Sequence, residues 1–271
     1  MAAAAAFIVL SAGAQLKTPA PSPAQTVKQD FALSNIELSY SRPGMKGREI
    51  FGDLVPFGKV WRTGANSATT LTFGEEVVIG GTKIPAGKYG LLSIPDKKSW
   101  TIIISKQTNV TSPSAYEQKE DVVRLEAKTA TLKDKVETFT IEFINVKANT
   151  CDVEIKWDNT VVSFPVSVDV DKKVMGQIDQ QMNKDNRPYF AAAMYYLENG
   201  KDLNTALTWF DKAAEAQPNA FWVQHQRANC LAKLGKKEEA KKAAEKSMAM
   251  AKEAKNDDYV RLNEKLIADL K

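Results

Sequence analysis

The sequence is poorest in the residues that most often carry out chemistry: its 271 residues include one histidine and two cysteines. Histidine is the side chain that ordinarily titrates nearest neutrality. Here the single His225 lies beside Trp222 in an alanine-rich C-terminal stretch, far in sequence from any other candidate group, which removes imidazole acid–base catalysis. Cys151 occupies an apolar position of an alternating segment, and Cys230 stands among small residues of a helical one. Neither has the nearby base that activates a thiol, and each reads as a small buried hydrophobe rather than half of a disulfide. No His/Cys cluster exists for zinc, and no D-x-D-x-D-G loop for calcium. No metal, no cofactor and no catalytic residue is assigned.

Long apolar runs and excess charge of one sign are also missing. A membrane span needs roughly 20 apolar residues, and the apolar stretch Ala2 to Leu10 is too short. Lys and Arg number 37 against 33 Asp and Glu, a net charge of +4 with no long basic run, so nucleic acid is not an expected partner.

That short apolar stretch is followed by Ala12-Gly13-Ala14, the small-x-small pattern of a signal-peptidase site. Residues 1–14 therefore read as a secretory signal cleaved after Ala14, with a periplasmic or secreted product and no stable membrane span after its removal. Residues 15–29, with Pro19, Pro21 and Pro23 among small and polar residues, read as a disordered or extended linker.

Two domains are expected beyond it, at residues 30–170 and 171–271. In the first, Phe139, Ile141 and Phe143 alternate with Thr138, Thr140 and Glu142, and Cys151, Val153, Ile155 and Trp157 alternate with polar neighbours. Period two marks strands with one buried face. A turn signal at Asp158-Asn159 and a further alternation through Val162, Phe164, Val166 and Val168 suggest an antiparallel meander, with Pro165 marking an edge or bulge. Earlier strands are expected at 36–40, 68–73, 76–79, 89–94, 100–105 and 122–128. Many short strands without intervening helices indicate an antiparallel β-sandwich or barrel.

After Asp171 the period changes to helical. A self-match at 34 residues pairs Ala206 with Ala240, Phe210 with Ala244 and Ala213 with Ser247, the period of the tetratricopeptide repeat. Two such repeats need cover at both ends. A helix through Val174, Ile178 and Met182 and a last helix from Asp257 to Leu270 are placed there. The whole is an α+β chain: a β-sandwich or barrel followed by an all-α helical module.

The stretch Arg42 to Thr70 fits neither period. It combines Gly44, Gly47, Gly52, Gly58 and Gly64 with Arg42, Lys46, Arg48, Lys59 and Arg62, opposed only by Glu49 and Asp53. It matches neither a Walker loop nor the dinucleotide fingerprint, because β-strand sequence follows it where those motifs need a helix N-terminus. What remains is a cationic, donor-rich loop. Arg48 and Arg62 suit a forked contact with a carboxylate, sulfate or phosphate, Thr63 and Asn66 add a hydroxyl and an amide, and Trp61 suits stacking on a sugar or a guanidinium. The simpler reading makes Arg62 and Asn66 satisfy carbonyls of a tight loop and puts Trp61 in the core. In the helices, Tyr196, Trp209 and Trp222 are candidates for a partner groove, with core packing as the plainer alternative.

The run GMKGREIFGDLVPFGKVWRTGANSATT, followed by IGGTKIPAGKYGLLSIP and Trp100 to Lys106, resembles the domain of unknown function 2911, a family of predicted exported proteins of Gram-negative bacteria. The tail YYLENGKDLNTALTWFDKA, with NAFWV and AKNDDYVRLNEK, resembles the helical extension often attached to that domain. Together they cover nearly everything from residue 30 to 271. The resemblance implies a β-rich exported domain joined to tetratricopeptide-like helices; it implies no activity and carries over no site residues.

The expectation is thus a non-catalytic exported binding or scaffold protein. Its glycine-rich loops would hold a small anionic or carbohydrate ligand, and its helical repeats a protein partner. The alternative is a cell-envelope hydrolase using Glu49 or Asp53 as general base beside Arg62, which requires burial or a neighbour to bring that carboxylate's pKa near the working pH.

Overall fold

The computed structural model describes residues 18–270, so the expected signal sequence and its cleavage point lie outside the described residues. The chain divides into two compact units between Val170 and Asp171.

Among the described residues, the first unit is a nine-stranded antiparallel sheet in the order β1-β2-β3-β6-β7-β8-β9-β4-β5. Its strands are β1 Ala24–Phe31, β2 Ser34–Ser41, β3 Thr70–Phe73, β4 Val77–Ile79, β5 Thr82–Ile84, β6 Gly87–Ile94, β7 Ser99–Ser105, β8 Asp121–Ile144 and β9 Thr150–Ser167. Of the linker expected over 15–29, residues 24–29 belong to β1, all eight residues of which are in register with β2, while 15–17 lie outside the described residues. The half-buried face of β1 carries Gln25, Val27 and Gln29. Backbone pairing along an edge, more than apolar burial, holds this strand, and hydrophobic periodicity does not register such a segment.

The strand expected at 122–128 and the alternation from Thr138 to Phe143 are one element, β8. Its first part pairs with β7 and the remainder with β9. Asp158-Asn159 is not a chain reversal either, because β9 runs straight through it. Asp158 has a φ of 52°, and there the buried positions switch from odd-numbered (Cys151, Val153, Ile155, Trp157) to even-numbered (Val162, Phe164, Val166). Opposite it the register shifts, Thr131 pairing with Thr160 but Val136 with Asp158, so the surplus residues lie on β8, and such an irregularity re-aims side chains without ending the strand. Pro165 falls between Val162, the last residue paired with β8, and Ser167, which pairs with β4.

Closure comes from the chain that follows β2. Met45 N–H donates to Glu137 O at 2.8 Å and Phe139 N–H to Pro43 O at 2.9 Å, across a Gly44–Thr138 bridge. The extension of β2 thereby returns to the second part of β8, and one apolar core draws on every strand from β1, through Phe31, to β9. At its centre Trp100, Trp157 and Phe139 are buried, and Phe51 and Trp61 of the glycine-rich run meet them edge-on or stacked at centroid distances of 5.0 to 6.4 Å. Such aromatic pairs contribute about 0.5–1.5 kcal/mol each beyond their buried area.

The second unit, among the described residues, is six helices: α1 Asp171–Met182, α2 Tyr189–Glu198, α3 Leu203–Ala216, α4 Phe221–Lys233, α5 Lys237–Glu253 and α6 Asp257–Asp269. Each of α2 to α6 packs on its neighbour in sequence, forming antiparallel hairpins. The hairpins α2–α3 and α4–α5 turn through Gly200 (φ 65°) and Gly235 (φ 75°), a left-handed conformation that glycine adopts without a Cβ penalty. Asp202 caps α3, accepting from Thr205 N–H at 2.9 Å, and Asn256 caps α6, accepting from Tyr259 N–H at 3.1 Å. At the other end Asp171, first residue of α1, bonds the Tyr195 hydroxyl of α2 at 2.9 Å and pairs with Lys201 at 2.7 Å. Ala206, Phe210 and Ala213 of α3 and Ala240, Ala244 and Ser247 of α5 are all buried.

Candidate functional site

The run from Arg42 to Thr70 links β2 to β3 and is held both by backbone bonds and by side chains bonding to backbone. Arg42 donates from Nε to Phe139 O (3.1 Å) and from Nη2 to the Thr140 hydroxyl (2.9 Å), anchoring the run to β8. Arg48 donates from Nε to Met45 O (2.9 Å) and from Nη2 to Gly44 O (2.6 Å). Trp61 exchanges two backbone bonds with Ser93 of β6 (2.7 and 3.0 Å), while its indole N–H donates to Gly64 O at 3.1 Å. Gly64 has φ 155°, and a Cβ there would stand 2.9 Å from the Thr69 hydroxyl and 3.2 Å from Ser41 O, so this turn requires glycine.

Thr63 is fully buried, its hydroxyl 2.9 Å from that of Ser93, and its carbonyl accepts from the Thr69 hydroxyl at 2.7 Å. Asn66, exposed and at φ 55°, donates from Nδ2 to Ser22 O at 3.1 Å, pinning the segment that leads into β1. Both side chains serve the loop.

The other three candidates share a cavity of about 480 Å³, lined by Arg48, Trp61 and Arg62 together with Ser22, Pro43, Leu54, Val55, Pro56, Lys59, Val60, Gly64, Ala65, Pro113 and Trp157. Arg62 donates from Nη1 to Thr111 O, and its Nε is enclosed without an acceptor among the described residues. Trp157 also has its indole N–H committed, to Glu137 O at 3.2 Å. Both tryptophans therefore offer the cavity only their hydrocarbon surfaces.

Among the described residues no carboxylate lines this cavity. Glu49 and Asp53, the alternative general bases, are exposed, and neither stands among the residues around Arg62. The thiols are unsuited to nucleophilic work. Burial, with a smaller contribution from Asp152, pushes the Cys151 thiol up to about 11, and burial also raises that of Cys230. Among the described residues no group of three or more His, Cys, Asp or Glu side chains is placed to hold a metal ion.

The family description "Protein of unknown function (DUF2911)" matches residues 22–166. The chain belongs to the DUF2911 family. That match contains the whole cavity lining and ends within β9, so the candidate site is a feature of the DUF2911 domain. No curated protein and no solved structure matches the chain. No described helix is long and apolar enough to cross a membrane.

The helical candidates are divided. Tyr196 and Trp209 pack edge to face at 4.7 Å and join one packed cluster of α2 and α3. Trp222, on α4, stands apart from that cluster, 38% exposed and edge-on to Phe221 at 5.0 Å. His225 is buried in a polar network: its Nδ1 lies 2.8 Å from Asn263 Oδ1, Asn263 Nδ2 donates to the Ser247 hydroxyl at 2.9 Å, and that hydroxyl donates to Phe221 O at 2.7 Å. With the amide donors so used, Oδ1 accepts and His225 Nδ1 carries a proton.

Sequence reasoning missed Lys59, which stands two residues before Trp61 in the same cationic run, where the signal was available. It also missed Trp157 and Pro113. Trp157 read as one more inward residue of an alternating strand, and Pro113 lies in the chain between β7 and β8; nothing local links either to the run.

Proposed function

We propose that this chain is an exported, periplasmic or secreted, non-catalytic binding protein that holds a small anionic or carbohydrate ligand in the cavity beneath the glycine-rich run. The observation that carries this reading is the cavity lining itself: apolar walls, three cations and no carboxylate to act as general base. A concave, mostly apolar site with a few placed polar groups is the usual form of a small-molecule site. Export is supported by the signal-like pattern of residues 1–14.

The helical unit is read as two tetratricopeptide-like repeats, α2–α3 and α4–α5. In support, the residues that match at a spacing of 34 occupy buried positions of α3 and α5. A protein partner would meet this unit at Trp222, the most exposed of the three aromatic candidates.

Native mass spectrometry of protein purified from an expressing cell tests the ligand reading. The expected result is a small-molecule adduct that is lost in the Arg48→Ala/Arg62→Ala double variant with its fold intact. An adduct retained in the double variant, or no adduct and no thermal shift from any small anion or sugar, would remove it.

A further inference from the structure

We infer that the ligand of this cavity is an organic anion, an oxyanion head group on an apolar body, and not a neutral carbohydrate or an inorganic ion; this rests on the ligand-binding reading above and narrows it. The first argument is hydrogen-bond inventory. Of the polar side chains lining the cavity, Arg48, Lys59 and Arg62 are donors only, and Ser22 alone has a hydroxyl able to accept. A sugar presents many hydroxyl donors, and side chains of this kind leave most of them unpaired, at the desolvation cost that makes a missing acceptor expensive. A carboxylate, sulfonate or phosphate accepts only, and it meets this wall without a mismatched group.

The second argument is fixation. Arg48 has its Nε and Nη2 held by two loop carbonyls, and Arg62 has Nη1 held by Thr111 O. Those bonds orient each guanidinium while leaving other N–H groups uncommitted. At Arg62 the Nε is enclosed, which leaves the N–H groups of Nη2 to meet a ligand oxygen. Placed donors of this kind gain charge-assisted strength without reordering long side chains on binding.

The third argument concerns the rest of the lining. Trp61 and Trp157 have given their N–H groups to Gly64 O and Glu137 O, and Pro43, Pro56 and Pro113 have none to give. With Leu54 and Val55 they form walls that reward hydrocarbon and aromatic surface. Inorganic sulfate or phosphate would leave those walls in contact with water.

The test is a matched series measured by isothermal titration and tryptophan emission on the full chain: 4-phenylbutyrate, its neutral amide 4-phenylbutyramide, inorganic sulfate, and glucose. The acid is expected to bind about tenfold or more tighter than the amide, the difference a charge-assisted bond makes, with sulfate and glucose weaker still. In Arg62→Gln that preference is expected to collapse while the amide's affinity stays unchanged, and Arg62→Lys should restore part of it. Far-UV circular dichroism and melting temperature confirm that each variant folds. Equal binding of acid and amide, or an acid preference that survives Arg62→Gln, overturns the organic-anion inference while leaving a ligand site in place. Tighter binding of glucose than of the acid overturns it in favour of the carbohydrate reading. If none of the four binds at millimolar concentration, this inference fails; the adduct experiment above then separately decides whether the cavity binds anything.

Discussion

The two units of the chain solve the problem of burial in opposite ways. The β unit is built around large side chains, with Trp100, Trp157, Phe139 and Phe164 fully or nearly fully enclosed. The helical unit is built around small ones, with Ala206, Ala228, Ala240 and Ala244 at its helix contacts and Phe210 as the one fully buried aromatic among its described residues. Strands enclosing a shared interior must fill it with volume, whereas helices in hairpins come close only where side chains are small. The difference extends to polar groups. The groove between α3, α4 and α5 mixes Asp211 and Glu215 with Arg227, Lys242 and Lys246, and Arg227 pairs with Asp211 at 2.6 Å, so charges of both signs meet there. The cavity of the β unit carries cations without carboxylates. A surface where both signs meet offers a ligand little, and one that has donors to spare invites an acceptor.

This contrast breaks first at Trp157. Trp157→Ala is expected to cost the β unit about 3–5 kcal/mol, the usual loss for removing a buried aromatic, measured by urea unfolding with hydrogen exchange resolved by region. Loss of protection should concentrate in residues 24–167, and equal loss in both units would mean that they do not unfold independently.

The helical unit should be more vulnerable to enlargement than to truncation. Ala240→Leu, at a fully buried contact of α5 with α4, is expected to cost about 1–3 kcal/mol through overpacking. The same enlargement at the exposed Ala249 of that helix should change the melting temperature little. If Ala240→Leu stabilised the protein, the close approach of α4 and α5 would be wrong.

The smallest expected effect is a dependence on acid. The Lys201 ammonium, then the Tyr195 hydroxyl, hold the Asp171 carboxyl below the ordinary carboxylate range; the hydroxyl and N–H of Thr205 do the same for Asp202. A depressed folded-state pKa gives stabilisation that is complete above the unfolded value of about 4 and is lost as pH falls through the folded value. Thermal melts between pH 6 and pH 3 should therefore show a downward slope for the helical unit. Asp202→Asn keeps a capable cap and removes the titration, so its slope should be shallower; an unchanged slope would acquit Asp202.

Local pattern made much of this legible. Alternation placed the inward residues of the last part of β8 and of β9 because a half-buried strand writes its burial into every second residue. The change of period after Asp171 did the same for the helices. It failed where burial does not follow local pattern: β1, whose inner face alternates glutamine with Val27 and Phe31, and Asp158, where a strand irregularity imitates a turn. At the site, the cationic run pointed to Arg48, Trp61 and Arg62, but the residue types of Thr63 and Asn66 did not tell a ligand contact from a loop brace.

The sequence by itself determined that the protein has a strand-rich part and a helical part, where one gives way to the other, and that it carries a single histidine and two cysteines. These follow from composition and from short-range periodicity, which each residue shares with its near neighbours. Only the tertiary structure decided that Trp157 and Pro113 meet Arg62 around one cavity, that Arg48 and Arg62 are half committed to backbone carbonyls, and that Glu49 and Asp53 stay outside. The cavity depends on contacts such as that of Arg62 with Thr111, 49 positions along the chain, and on Trp157, which lies further still. The register of strands and the path of the run set those contacts, and no local pattern encodes them.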